Sequence, residues 1–417
     1  MPAKPRAGRI RIAFMFVLFA VLFGTGQFHR VSTGVIMPEL ARELALGAGV
    51  LGTISGVYFL CAAAMQIPVG LCLDRFGARR TVPAVMSVSF LGTILFAGAH
   101  SAGWLIFGRA LMGVGFASVL MGAYAVFARW VPVDRFSTFS AWMIAVGSMG
   151  GMTATAPLAA AVEWVGWRPT LLAVGVFTVL LVIATCAGVR DAPPGYLERG
   201  RRPSGLIDSL RGLIDVLRKR EMRHILAMGV ATYGPGMVLL GLWGGPFLAD
   251  VHGLGPIERG HILFAMALGS PLGLVVIGPL DRVLNSRKRV VLVFATAKAA
   301  AFAALAAWPQ APLALVAALM VWVMFSQSYY VALQSHCRAV VPDTMVGRAT
   351  TSLNLVSVGG VALMQIATGA IVEAFPAAGG IAAPEAYRWV FGGVALVILL
   401  AVLAYSRVED MAVRSAV

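Results

Sequence analysis

Two arginines stand where arginine is expensive. Arg30, in QFHRVSTGVIMPEL, and Arg109, in GRALMGVGFAS, each lie inside a long apolar run. An arginine at the centre of a membrane helix costs about 2.5–3.5 kcal/mol even on lenient insertion scales, so each needs a compensating role. Counted from the ends of their runs at 1.5 Å per residue, both guanidinium groups sit roughly 10 Å below the same surface. All 18 acidic residues can be placed in loops or at the ends of apolar runs, which leaves neither arginine a carboxylate partner at depth. Planar guanidinium groups pair bidentately with carboxylate or phosphate, and the simplest supplier of the missing anion is a ligand. His29 adjoins Arg30 and is the one deep group that titrates near neutrality, a candidate proton carrier; an interhelical hydrogen bond accounts for it equally simply. Lys298 is a third cation within an apolar run, where a helix–helix contact or snorkelling would suffice. Gln327, Tyr330 and Gln334 follow at spacings of three and four, one helical face, and Tyr233 lies at a similar depth just before Gly234-Pro235-Gly236. Their uncharged hydroxyl and amide groups suit the oxygen-rich remainder of an organic acid, or ordinary bonds between helices.

The elements that must position these residues follow from composition. The 417-residue chain is 59% hydrophobic and 12% charged, about half the charged fraction of an ordinary soluble domain. Twelve apolar stretches long enough to cross a bilayer centre roughly on residues 23, 60, 88, 115, 150, 178, 237, 269, 298, 325, 360 and 396. Backbone polar groups in hydrocarbon must be satisfied within each segment, so all twelve are expected to be helices. The net charge of +15 would suggest nucleic acid in a soluble protein, but its distribution points to a membrane surface. With alternating loops, 26 of the 33 Lys and Arg fall on one side and four on the other, namely Arg42, Arg168, Arg259 and Arg388. The positive-inside rule then puts both termini in the cytoplasm, and a nucleic-acid partner is not expected. The first apolar run, from Ile12 to about Ile36, is too long for a secretory h-region and reads as a retained helix. Cys61, Cys72, Cys186 and Cys337 are scattered without a CxxC, and the six histidines do not cluster with them, so neither disulfides nor a metal site is expected. No nucleophile–base pair, phosphate-binding loop or cofactor motif is present, which argues against an enzyme or an ATP-driven pump.

One polar link carries a signature. Residues 70–80 read GLCLDRFGARR: Gly70 for close approach to a neighbouring helix, Asp74 beside Arg75, a turn at Gly77, then Arg79 and Arg80. A degraded second copy runs from Gly278 through Asp281 and Arg282 to Arg287, Lys288 and Arg289, one residue shorter before its aspartate and without a counterpart of Gly77. Pro132 and Pro342, Gly150 and Gly360, and Glu163 and Glu373 are each separated by 210 residues. The WRPT after Gly166 and the YRW at Tyr387 to Trp389 open the sixth and twelfth runs alike.

The 70–80 link closely resembles the loop 2–3 signature of the major facilitator superfamily. That resemblance implies an all-α polytopic membrane protein with twelve transmembrane helices in two six-helix bundles related as a parallel repeat. The expected divisions are residues 1–189, a basic cytoplasmic linker at 190–223, and residues 224–417. Within the linker, Leu206, Ile207, Leu210, Leu213, Ile214 and Leu217 recur at helical spacing, which would lay an amphipathic helix on anionic lipid. In the family helices 1, 4, 7 and 10 line a central cavity, so the resemblance offers Arg30, Arg109, Tyr233, Gln327, Tyr330 and Gln334 as substrate-binding residues and His29 as the coupling group. An arginine also occurs in helix 4 of members with very different substrates, which gives Arg109 a structural or coupling reading beside the substrate one. The resemblance further assigns gating to Gly70, Asp74, Arg75, Gly77, Arg79, Arg80, Asp281 and Arg282, with the loop clasping the facing bundle in one state and releasing it in the other. Gly147, Gly150, Gly151, Gly359 and Gly360 are expected where the bundles rock against each other. The implied function is a monomeric secondary transporter in the inner membrane that moves a small organic anion by alternating access, as proton-coupled import, loosely similar to anion–cation symporters. The alternative is an exporter of drugs, metabolites or siderophores, or a siderophore importer. The expected partners are a small-molecule substrate, protons and membrane lipids, with no cofactor.

Overall fold

The computed structural model describes residues 6–193, 212, 214–342, 345–375 and 382–410, and every regular element among them is helical. Twelve spans follow one another. They are α1 (Arg6–Leu44), α2 (Ala48–Ala64, continued at a 42° bend by Gln66–Phe76), α3 (Ala78–Ala97), α4 (Ala102–Trp130), α5 (Val133–Thr153 with Ala156–Val165) and α6 (Trp167–Gly188). The second six are α7 (Arg220–Asp250), α8 (Pro256–Val283), α9 (Arg287–Ala307), α10 (Leu313–Ala339), α11 (Val346–Glu373) and α12 (Pro384–Tyr405). Each centre expected from hydropathy falls inside its helix. An even number of crossings returns the chain to its starting side, the termini face; the opposite side is the far face. Exposed tryptophans mark the far membrane boundary: Trp104 and Trp389 at the starts of α4 and α12, and Trp164 and Trp308 at the ends of α5 and α9.

The spans form two six-helix bundles with matching interiors. In the first, α1 packs on α5, α2 on α4, and α3 on α4 and α6; in the second, α7 packs on α11, α8 on α10, and α9 on α10 and α12. The glycines at the 210-residue spacing occupy equivalent contacts. A Cβ on Gly150 would lie 2.1 Å from the Gly24 carbonyl of α1, and one on Gly360 2.9 Å from the Val230 carbonyl of α7. This corrects one expectation. Gly147, Gly150 and Gly360 bring helices together inside a bundle, whereas Gly359 has no neighbour within 4 Å of its Cβ direction. The approaches between bundles use other glycines. A Cβ on Gly34 would meet the Leu240 carbonyl at 2.3 Å, and one on Gly52 would meet Gly369 Cα at 2.8 Å, both in the far half.

The aromatic openings of α6 and α12 close each bundle at the far face. Trp167 Nε1 donates to Glu43 Oε2 of α1 at 2.6 Å, with Arg168 pairing to the same carboxylate, and Tyr387 donates to Asp250 Oδ2 of α7 at 2.7 Å. On the termini face, Gly77 adopts φ 76°, and Asn285 in the second copy also has a positive φ, 47°. The second copy has no glycine at the position of Gly77, and its positive φ falls one residue later relative to the aspartate, in a residue type whose short amide tolerates it. Each turn delivers a helix start to an aspartate beyond the sixth span of its bundle. Asp191 accepts from the Arg79 amide at 2.9 Å, and Asp410 from the Lys288 amide at 3.3 Å and from the Ser286 hydroxyl. Of the proposed amphipathic linker helix, Leu206, Ile207, Leu210 and Leu213 lie outside the described residues, while Ile214 and Leu217 are exposed.

Candidate functional site

Arg30 lies on α1 where the two bundles meet. Its guanidinium sits beside the phenol hydroxyls of Tyr58 on α2 and Tyr233 on α7, one from each bundle, and no carboxylate stands among its electrostatic neighbours. Its Nε has no hydrogen-bond partner among the described residues. A recess beside it is lined by Phe23, Gly26 and Gln27 of α1 and by Phe116 and Val119 of α4. Gln27 adds a second orphan, because its buried Oε1 also lacks a partner.

Arg109 is spent differently. It is 1% exposed, and its donors reach the His29 carbonyl at 2.8 Å, the Thr33 hydroxyl at 3.1 Å and the Ile54 carbonyl at 3.4 Å. Its charge rests over the Tyr58 ring, 4.7 Å from the centroid. Three helices, α1, α2 and α4, are pinned by one guanidinium, with carbonyl dipoles, a hydroxyl and a π face in place of a carboxylate. Tyr58, absent from the sequence reading, thus lies between the two arginines. A tyrosine in an apolar run gives no sign of such a position; only the crossing of α2 over α1 and α4 does. It is fully buried, with its hydroxyl 3.3 Å from the Gly26 carbonyl.

His29 points about 100° away from Arg30. Its ring packs 5.1 Å from Phe116 and its Nε2 has no partner among the described residues. In the second bundle, Tyr330 is an electrostatic neighbour of Tyr233 and of Tyr124 on α4, which places it at the bundle interface. Gln327 and Tyr330 both have neighbours on α7, Gly236 and Tyr233 respectively. The chain tightens into a 3₁₀ turn at Gln327–Tyr329, and Gln327 is buried against Gly236 with its Oε1 3.4 Å from Lys298 Nζ. Lys298 itself is fully buried and donates to the Thr232 carbonyl at 2.7 Å. It bridges α9, α7 and α10, so the helix-contact reading holds and snorkelling does not. Gln334 is half-buried on α10. Arg30 lies beside Tyr233, which is in turn a neighbour of Tyr330, while Arg109 and Gln327 bond within their own bundles.

The residues expected to gate lie on the termini face. Asp74, Arg75, Arg79 and Arg80 are exposed, with Arg75 over the Phe76 ring at 5.2 Å, and Gly70 has open space where a Cβ would be. The loop's described partner, Asp191, belongs to its own bundle. Asp281 is half-buried and Arg282 exposed in the turn Leu280–Val283. At the far face the bundles are tied directly: Arg259 of α8 donates to Glu39 of α1 at 2.9 Å, and the Gly49 amide of α2 to Glu373 of α11 at 2.8 Å.

The sequence profile of the Major Facilitator Superfamily matches residues 12–280, well over half the chain. The chain belongs to the major facilitator superfamily. This superfamily member is 25% identical over 260 residues to the nitrate/nitrite transporter NrtP of Picosynechococcus sp., a match covering 54% of this chain and 45% of that one. It is 22% identical over 275 residues to a putative tartrate transporter of Agrobacterium vitis, covering 60% and 59%, and 23% identical over 186 residues to a probable sulfoacetate transporter, SauU, of Cupriavidus necator, covering 44% and 43%. The chain thus spans less than two thirds of the length of each of these relatives. Among solved structures, a bacterial homologue of the lysosomal transporter Spinster, inward-facing and occupied, superposes with TM-score 0.75 at 18% identity, covering 97% of this chain and 98% of that one. A D-xylose–proton symporter superposes with TM-score 0.74 at 14% identity, covering 95% and 98%. Family and fold are those of membrane transporters.

Proposed function

We propose that this superfamily member imports a small organic anion with protons across the inner membrane, its termini face being cytoplasmic. The observation that carries the reading is Arg30: a buried cation at the bundle interface, flanked by phenols from both halves, with an N–H that no group among the described residues accepts. An anion bound there would be held by both bundles at once, the condition for coupling ligand binding to their relative motion. Relatives named for nitrate and nitrite, tartrate and sulfoacetate all handle anions, which supports the same ligand charge here. Arg109 acts as a positioning residue, holding α1 and α2 and presenting Tyr58 to Arg30. His29 is the proposed proton carrier, since a co-travelling proton offsets the charge of the anion. Tyr233, Tyr330 and Gln334 would meet the uncharged part of the ligand. Loop 70–80, with Asp281 and Arg282 of its repeat, is the proposed termini-face gate. An exporter of uncharged apolar compounds would leave the Arg30 charge unanswered.

The reading is tested with purified protein in detergent, by following the thermal-unfolding midpoint in the presence of sulfoacetate, L-tartrate, D-galactonate, choline and D-xylose. A ligand at 100 times its Kd stabilises by about 2.7 kcal/mol, enough to raise the midpoint measurably. An anion is expected to do so, and stabilisation by choline or D-xylose alone would transfer the choice to the exporter.

A further inference from the structure

Arg30 and Gln27 stand three residues apart on α1, about 4.5 Å along its axis, and line the same recess. Both carry a buried polar atom without a partner among the described residues, an N–H on Arg30 and a side-chain oxygen on Gln27. The two orphans have opposite hydrogen-bond polarity. The remaining walls, among them Phe23, Phe116 and Val119, are apolar and supply nothing to either. Buried polar groups in folded proteins are almost always satisfied, so this pair describes a ligand with two features side by side.

We propose that Gln27 is a specificity-determining residue that reads a hydroxyl adjacent to the anionic group held by Arg30, so that the substrate is a hydroxylated carboxylate rather than a bare oxyanion or an aliphatic acid. The inference rests on Arg30 being the anion site and adds the second contact. Nitrate or sulfate satisfies the guanidinium but brings no donor to Gln27 Oε1. An aliphatic acid places a methylene against that oxygen and leaves it dehydrated and unpaired. A hydroxyl donates to the oxygen, and because it also accepts, it can use the amide NH₂ of the same side chain. Selectivity of this kind is steep, because the wrong ligand leaves a buried group of the protein unsatisfied.

The test uses two probe pairs that differ only in hydroxyls, L-tartrate with succinate and D-galactonate with hexanoate, plus nitrate, measured by isothermal titration on the purified full chain. The wild type is expected to bind the hydroxylated member of at least one pair about tenfold or more tighter than its partner, and tighter than nitrate. Gln27→Leu should bring that ratio to within about threefold while leaving the deoxy partner's affinity unchanged. Gln27→Glu, an isosteric change, places a carboxylate beside Arg30 and should abolish binding of both members. Arg30→Ala should lose both members as well. Equal affinities in the wild type, tighter nitrate, no binding by any hydroxylated probe, a ratio unmoved in Gln27→Leu, or unchanged binding in Gln27→Glu each overturns the Gln27 assignment. Loss of binding in Arg30→Ala together with any of these would leave the anion site standing, whereas full binding in Arg30→Ala would remove the anion site itself.

Discussion

Arg30 and Arg109 share a residue type and both reach Tyr58, yet their donors are put to opposite uses. Each nitrogen of Arg109 has an acceptor on α1 or α2, so its removal strips partners from the His29 and Ile54 carbonyls inside the bundle. Arg30 leaves an N–H without a partner among the described residues, so less of the fold depends on it. Arg109→Met should therefore destabilise the protein far more than Arg30→Met, since charge-assisted bonds are worth about 1.5–3 kcal/mol each. Melting midpoints in detergent decide it: a large drop is expected only for Arg109→Met, and equal midpoints would contradict the division of roles. The sequence disclosed the cost and absence of carboxylate partners for both arginines. It did not disclose direction, because one residue rotates a side chain about 100° around a helix. For the same reason His29 appeared beside Arg30 and in fact packs against Phe116. Gln27 and Tyr58 stayed hidden because an amide or phenol in an apolar run carries no charge to attract notice.

At the scale of elements, the twelve spans and the repeat were legible because hydropathy and fixed residue separations survive the divergence of the two halves. The break in periodicity at Gln327–Tyr329 was not legible. Gln327 lies in a 3₁₀ turn there, and its amide oxygen is 3.4 Å from Lys298 on α9, a contact between helices that spacing along α10 does not show. The aspartates beyond α6 and α12 were missed for a different reason: Asp191 and Asp410 lie more than a hundred residues from the amides they accept. Their role makes the turn at Gly77 demanding, because a Cβ there would come within 2.5 Å of the Asp191 carboxylate at φ 76°. Gly77→Ala should lower the melting midpoint and the yield of monodisperse protein. Gly103→Ala, where a Cβ meets nothing within 4 Å, should leave both unchanged. Equal behaviour of the two variants would separate the turn from the stability of the loop.

For the whole molecule, two charge-carrying ties between the bundles stand at the far face, Arg259 with Glu39 and the Gly49 amide with Glu373, while the Arg79 amide of loop 70–80 is bound within its own bundle. These two contacts hold the bundles together at the far face. Arg259 is 4% exposed, and breaking a buried pair strands the surviving charge, at a cost of about 3–5 kcal/mol. Arg259→Gln should shift the population toward a far-face-open state, since each 1.4 kcal/mol is tenfold in the equilibrium. Spin labels at Ala45 and Glu385, one on each bundle, should report longer distances in the variant. An unchanged distance distribution would remove this pair from the contacts that hold the far face together. The central claim, that Arg30 holds the substrate's negative charge between the bundles, is tested most directly by titrating the stabilising anion and its methyl ester into wild type, Arg30→Lys and Arg30→Ala. The account predicts strong binding of the acid alone to the wild type, weaker binding to Arg30→Lys, which keeps the charge without the planar fork, and nearly none to Arg30→Ala. Equal binding of acid and ester, or wild-type affinity in Arg30→Ala, would contradict it.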